Sequence, residues 1–512
     1  MMQNNKEKAI KYGLFIIVSL FIFGLTSKYL MYRTGLYGVW NGLAYFEIGI
    51  IASGGVFLFL LAGYLLMKPV PKYEVVFFGL VLAFGLLYML VITPLSGPDE
   101  HYHYDEAYRI SNMLILSKNP DLVYEDYSQL ISHQNVESGY IRILEEFGAK
   151  KPETMTLGSD GRKAEYFVSY LPQAIGILIG RLLNRNFITL FLLGRFVNLL
   201  FYAGCVYIAI KNIPRFKVLT GLISMMPMAL HQAASFSTDA FINGLCFVLI
   251  SYAFKMIWAD EHIERTDIVI SFVVAALLAP AKVIYCVIVV LFFLISPDKI
   301  GTEKQKVKMI CTMIAVSGAS IILFQLPFLL EMTEPSGSTL NWEGQQNYDV
   351  AFVLAHPIKT AKIFWDTFVY YKKIWLEQAI GMSLSGLSLY VSKDVIYSYL
   401  ITMCIAIFAS QGAEFKVGIG IRAVCLVSAI GIVILAMASM FLLWTSNTRS
   451  MIAGVQGRYL IPAIPLVAIS LSANRIRIYD RLMNFNIIFA TALNYLVIAE
   501  VLRCTLLSLV AY

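Results

Sequence analysis

The sequence predicts an all-α polytopic membrane protein, and three observations carry that prediction. Of 512 residues, 58% are hydrophobic and 14% charged, against about 25% charged in ordinary soluble proteins. Apolar runs close to the roughly 20 residues that a spanning helix needs recur along the chain. Lys and Arg concentrate in the short segments between those runs, an asymmetry that orients membrane helices. The formal charge of +7 therefore belongs to membrane topology and does not point to nucleic acid. Cys205, Cys246, Cys286, Cys311, Cys404, Cys425 and Cys504 lie in or beside apolar runs without a CxxC pair. Neither a disulfide framework nor a zinc site follows from them.

Taken in order, Met1 to Leu30 has a basic start and an apolar centre but no convincing small-x-small cleavage site, so it reads as an uncleaved first span. Lys6, Lys8 and Lys11 place the N-terminus in the cytoplasm. Ile10 to Ser27 crosses outward, Ile48 to Leu66 returns to Lys68 and Lys72, and Val75 to Ile92 crosses outward again. The chain then stays outside from Pro94 to Asn186, far longer than a connection between spans requires, and such loops are usually functional or disordered. Within it, Tyr166 to Leu183 is apolar enough to suggest a span. The basic loop Lys211 to Lys217 leaves room for only one crossing, Phe187 to Ile210, so Tyr166 to Leu183 is laid along the membrane surface as an interfacial helix. Val218 to Ala234 goes out and Asp239 to Ile257 comes back. Asp267 to Ser296, broken at Pro280 and Lys282, must cross twice, with Lys282 at a recessed tip. Lys308 to Leu326 leads to a second long external segment, residues 330–393, which contains Asn341-Trp342-Glu343. Val395 to Ala409, Ala423 to Leu443, Leu460 to Leu471 and Ile487 to Val510 complete about thirteen spans and leave the C-terminus outside. The organisation expected is residues 1–74 as two additional helices, 75–300 as a catalytic module with the external loop 94–186, and 301–512 as C-terminal helices.

The stretch Pro98-Asp99-Glu100-His101-Tyr102-His103-Tyr104-Asp105-Glu106 sits where a span meets water. Ionisable groups packed against a bilayer are costly to desolvate and mark function by default. On a helix, Asp99, His103 and Glu106 share one face at three- and four-residue steps, which sets a carboxylate beside an imidazole as general base catalysis requires. Asp239, Lys282 and Arg458 fall on the same external side. Acids opposite fixed cations suit deprotonation of an acceptor hydroxyl with stabilisation of a phosphate leaving group, Arg458 being placed for bidentate phosphate contact. Asp99, Glu100 and His103 could also ligate a divalent metal; no other cofactor is implied. No Walker loop, GxSxG elbow or HExxH helix is present.

Each residue has a plainer reading. The acids can serve the helix dipole, Asp239 can cap its helix, Lys282 can snorkel, and Arg458 can anchor on lipid phosphate. His231 reads as a satisfied polar residue. Asp105 and Arg109 read as a helix pair without chemistry, and Phe364 to Trp375 as an interfacial aromatic belt.

Pro98-Asp99-Glu100-x-x-His103-Tyr104-x-x-Ala107-Tyr108-x-Ile110-Ser111 resembles the opening motif of the bacterial membrane family known as domain of unknown function 2142. Tyr166 with Pro172, Ser237-Thr238-Asp239-Ala240, and Val455-Gln456-Gly457-Arg458-Tyr459-Leu460-Ile461-Pro462 resemble its later motifs in order, so the likeness spans Val75 to Leu471. That family is in turn similar to the GT-C class of glycosyltransferases, which have an Asp-Glu pair outside an early helix and use polyprenyl-phosphate sugar donors. The resemblance implies a GT-C-like bundle and an inverting transfer of a sugar from a polyprenyl-phosphate-linked donor. The acceptor would be a glycan or lipid of the cell envelope, on the outer face of a bacterial plasma membrane. It implies Asp99 as general base, Glu100 orienting acceptor or metal, and His103, Tyr108, Asp239, Lys282, Gln456, Arg458 and Tyr459 as substrate-binding residues. No large soluble C-terminal domain, common among relatives, is evident. Competing expectations are a flippase of lipid-linked saccharide and a polysaccharide polymerase or ligase; a flippase predicts symmetry-related repeats, of which none is seen.

Overall fold

A computed structural model describes residues 71–124, 155–157, 166–258, 263–331, 344–408, 416–472 and 480–505, with isolated positions between 54 and 65. The expected first crossing, the basic N-terminus, most of the second crossing, and Asn341-Trp342-Glu343 lie outside these residues. The described chain is mostly helical. Among the described residues, six helices are long and apolar enough to cross a bilayer: Tyr73–Val91, Phe187–Asn212, Asp239–Ile257, Glu303–Leu326, Ile419–Leu443 and Leu482–Leu502. The other described segments expected to cross are shorter or broken helices and do not reach that length as single helices. Val218 to Ala234 divides into Lys217–Ser224 and Pro227–Ala233. Pro227 lacks the N–H a helix interior needs, so it starts the second piece instead of continuing the first.

Asp267 to Ser296 forms an α-helix, Arg265–Ala281, followed by a 3₁₀ helix, Val283–Leu294. Pro280 removes a donor near the helix end, and Lys282 leaves helical geometry at φ −165°. A 3₁₀ helix rises about 2.0 Å per residue instead of about 1.5 Å. The 12-residue second arm thus reaches about 24 Å, where an α-helix would reach about 18 Å.

The Asp239–Ile257 helix is buried along nearly its whole length and forms the axis of the main core. Phe187–Asn212 packs on it and on Tyr73–Val91. The expected interfacial segment is a 3₁₀ turn, Phe167–Tyr170, running into a helix, Leu171–Leu182. It lies against both Phe187–Asn212 and the Glu100–Leu114 helix. Gly176 permits the closest approach, because a Cβ there would stand 2.2 Å from the Leu193 carbonyl oxygen. A second apolar cluster, centred on Tyr104, Phe187, Phe191 and Phe236, cements these three helices. Leu122–Tyr124 and Met155–Leu157 form a short antiparallel pair.

Candidate functional site

The motif helix is entered through a tight turn. Thr93 and Gly97 carbonyls accept from the N–H groups of Ser96 and Glu100. Asp99 takes a left-handed conformation at φ 54°, which Asp tolerates better than most residues. This turn separates two adjacent carboxylates: Asp99 is exposed while Glu100 is 1% exposed. Glu100 is completely occupied. Arg195 Nε donates to its Oε1 at 2.9 Å and Arg195 Nη2 to its Oε2 at 2.8 Å. The Phe236 and Gly97 N–H groups donate to the same two oxygens. Burial pushes the Glu100 carboxyl up, but the guanidinium and these donors outweigh it and hold it below its ordinary value. The expected role of Glu100 in orienting acceptor or metal has no free oxygen to act through; the residue joins the motif turn to the Phe187–Asn212 helix.

Arg195 was not singled out from the sequence, although one charge inside an apolar run is itself a signal. Its remaining donors close the turn on the carbonyls of Met89, Ile92 and Thr93. Asn198, one turn on, donates to the Ser235 and Ser237 carbonyls, and Gln173 also donates to Ser237. These bonds fix the loop before Asp239 so that the Phe236 N–H points at Glu100.

Asp239 does not cap its helix: Thr238 holds the cap position and no side-chain cap bond forms. Its carboxylate lies between two cations from distant parts of the chain, with Lys282 Nζ at 3.7 Å and Arg458 Nε at 3.4 Å. Lys282 sits 3.7 Å above the centre of the Tyr459 ring, a cation–π contact, with its side chain 24% exposed. Tyr285, one turn beyond Lys282, donates to the Tyr459 carbonyl. Arg458 is 7% exposed, too enclosed for a surface anchor on bulk lipid. Asp239, Lys282 and Arg458 alone carry one excess positive charge, which Asp99, close enough to act on Arg458, offsets.

The Arg458 segment is set by the Pro357–Ile380 helix. Trp375 Nε1 donates to the Val455 carbonyl, and Gln378 Oε1 accepts from the Gly457 N–H. A Cβ at residue 457 would stand 2.2 Å from the Trp375 carbonyl oxygen, so glycine is what lets the segment seat there. The Gln456 carbonyl accepts from the Tyr459 N–H and starts a 3₁₀ turn. The aromatic stretch from Phe364 to Trp375 is accordingly more than a belt, since Trp375 is a buried strut.

His103 Nδ1 lies 2.8 Å from the Tyr170 hydroxyl, joining the motif helix to the interfacial segment. Burial, then the nearby Arg458 charge, lowers the His103 pKa to about 4, against the opposing pull of Asp99, Asp239 and Glu100. The imidazole is therefore neutral near pH 7. Burial, with Tyr102, Glu106, Asp239 and Asp99 adding to it, raises Tyr170 well above its ordinary value. His103 thus feels Asp99, Asp239 and Arg458 together, three residues widely separated in sequence.

Other expectations do not converge on this point. Tyr108 is fully buried, with the Arg181 guanidinium 4.6 Å from its ring centre, and is a packing residue rather than a substrate contact. Glu106 pairs with Arg109 at 2.8 Å, the partner expected for Asp105, although its charge still reaches Tyr170 beside His103. His231 is satisfied, its Nε2 accepting from the Ser385 N–H at 3.2 Å. Among the described residues no group of three or more His, Cys, Asp or Glu side chains is arranged to hold a metal.

No curated protein and no solved structure matches the chain. Residues 82–467, which contain Asp99, Asp239, Lys282 and Arg458, match the family described as "Predicted membrane protein (DUF2142)". The chain belongs to that membrane-protein family.

Proposed function

We propose that this protein is an integral-membrane glycosyltransferase of GT-C type. It transfers a sugar from a polyprenyl-phosphate-linked donor to a cell-envelope glycan or lipid, on the outer face of a bacterial plasma membrane. The observation that carries the reading is the pair of cations about Asp239: both contacts, 3.7 and 3.4 Å, are longer than the roughly 2.7–2.9 Å of a closed charge-assisted hydrogen bond. Lys282 and Arg458 are gathered by the carboxylate yet not saturated by it, which suits cations that must also receive phosphate oxygens. Asp99, exposed at the head of its helix, is the carboxylate left available as a base.

In this reading Asp99 takes the proton of the acceptor hydroxyl as that oxygen attacks the anomeric carbon. The bond from anomeric carbon to phosphate oxygen breaks, and the electron pair leaves on the phosphate, whose growing charge Lys282 and Arg458 stabilise. Neutral His103 adds a hydrogen-bonding edge without a competing charge. A lipid-borne donor also needs room for its tail. An apolar cavity of about 780 Å³ lies between Thr360–Phe368 and Leu426–Met437, with Ala463 and Val467 at its floor. That floor belongs to the same segment as Arg458, so a phosphate at the cations and a hydrocarbon chain in the cavity are compatible.

Glycan analysis of envelopes from a deletion strain tests the assignment. Wild type should restore the missing glycan, whereas Asp99→Asn, inserted at normal level, should lower transfer by about a hundredfold or more. Undiminished transfer by that variant would sink it, and accumulation of untransferred lipid-linked sugar on the inner leaflet would favour a flippase.

A further inference from the structure

The far end of the motif helix carries a surface that the catalytic proposal does not use. Glu100–Leu114 and Leu171–Leu182 end side by side: Arg181 Nη1 donates to Ser111 Oγ at 2.7 Å, and its guanidinium stacks on Tyr108. Both helices stop in the same way. Ser117 N–H donates to the Asn112 carbonyl across left-handed Leu116, and Arg185 N–H donates to the Gly180 carbonyl across left-handed Asn184. These are Schellman endings. Asn112 further ties the first tip by donating to the Pro120 and Leu122 carbonyls.

What these rigid endings display is apolar. Leu116 is 89% exposed, Leu182 75% and Leu183 57%, with Leu114 and Ile115 exposed beside them. A leucine is an unfavourable choice at a left-handed position, and no described residue covers it. Exposed Lys118 and Arg185 flank the tips, half-buried Asp121 follows Lys118 by three residues, and the nearest acid of the motif helix, Glu106, is buried in its pair with Arg109. The occupant follows from chain continuity. Leu183 precedes Phe187, the first residue of a candidate span, by four residues, which reach about 14 Å when fully extended. The tips therefore stand at the membrane boundary.

We propose that these paired helix ends form a wedge that inserts into the bilayer surface. The leucines enter the acyl region while Lys118 and Arg185 hold anionic headgroups. An apolar tip with a basic rim is the composition that interfacial anchors use. The wedge would fix the depth and tilt of the motif helix, and so the height at which Asp99 stands above the lipid.

The full chain, reconstituted in phosphatidylcholine vesicles containing a minority of phosphatidylglycerol, tests this with a photoreactive side chain at one position at a time. Leu116→p-benzoylphenylalanine and Leu182→p-benzoylphenylalanine should each give phospholipid adducts enriched in phosphatidylglycerol. Lys118→Gln with Arg185→Gln should lower that enrichment by about fivefold or more. In the unmodified protein, amide exchange over residues 113–118 should slow when phosphatidylglycerol is added. Absence of lipid adducts from variants that melt like wild type would overturn the wedge, as would exchange indifferent to lipid charge. Adducts unaffected by removal of the two cations would overturn its anionic partner.

Discussion

Arg195 closes its guanidinium fork on both oxygens of Glu100 at 2.9 and 2.8 Å, and neither side chain reaches water. The partners are 95 residues apart, so this pair decides where the motif turn sits on the helix bundle. Removing one member leaves an unpaired charge in the dry interior, which is worse than losing an attraction. Glu100→Gln or Arg195→Met should each destabilise the fold by about 3–5 kcal/mol, while the double change should recover part of the loss. Thermal unfolding in detergent measures this. A Glu100→Gln protein that melted like wild type but lost activity would return Glu100 to the catalytic machinery.

His103 gives a pH signature. Its folded pKa, about 4, lies below the ordinary histidine value of 6.5 because burial and then Arg458 disfavour the cation. The folded state thus holds fewer protons than the unfolded state between those values, and stability rises with pH through that window. The contribution should be complete above about pH 6.5 and fall away as the pH drops toward 4, with a ceiling on the order of 3 kcal/mol. Melting curves from pH 7 to 4 should show a smaller loss for His103→Gln than for wild type. Parallel curves would mean that the imidazole titrates normally.

Gly457 tests the strut that seats Arg458. A methyl group there would meet the Trp375 carbonyl oxygen at 2.2 Å and the Ala379 nitrogen at 2.6 Å, both backbone atoms that cannot swing aside. Gly457→Ala should therefore cost about 1–3 kcal/mol of overpacking strain. Gln378→Ala, which only removes the acceptor for the Gly457 N–H, should cost about 1 kcal/mol. Equal melting temperatures for Gly457→Ala and wild type would show that the two segments separate easily.

How much of this was legible before the fold was known can be read from particular residues. Long apolar runs identified Phe187–Asn212 and Asp239–Ile257 almost to the residue, because the second is buried all round and the first is apolar on its exposed side as well as its packed one. The parity of basic loops kept Tyr166–Leu183 from being read as a span, and in the fold that segment packs against the motif helix and Phe187–Asn212. Asp99, Asp239, Lys282 and Arg458 were visible as charges at span ends. The division of labour between Asp99 and Glu100 was not. It depends on one left-handed residue that turns adjacent side chains apart, and on Arg195, whose partner is distant in sequence. Tyr108 misled because an aromatic residue within a motif looks the same whether it packs or binds. Trp375 and Gln378 act through the backbone of residues 455–457, contacts that no spacing encodes.

Asp239 makes the sharpest separation between binding and turnover. Under the transferase reading its carboxylate gathers Lys282 and Arg458 and also competes with the phosphate for them. Removing that charge frees both cations, and a unit charge about 4 Å away near a protein surface is worth up to about 4 kcal/mol. Asp239→Asn should therefore bind dodecyl phosphate about tenfold more tightly or better, while turnover falls because the two cations lose their fixed separation. Calorimetry on the detergent-solubilised protein reads the first effect, and sugar transfer reads the second. If affinity and turnover fell together, Asp239 would be a scaffold for the cations without competing for them. If Arg458→Lys left dodecyl phosphate affinity unchanged in the same assay, the guanidinium would not be the phosphate contact, because a lysine cannot reproduce its two-pronged geometry.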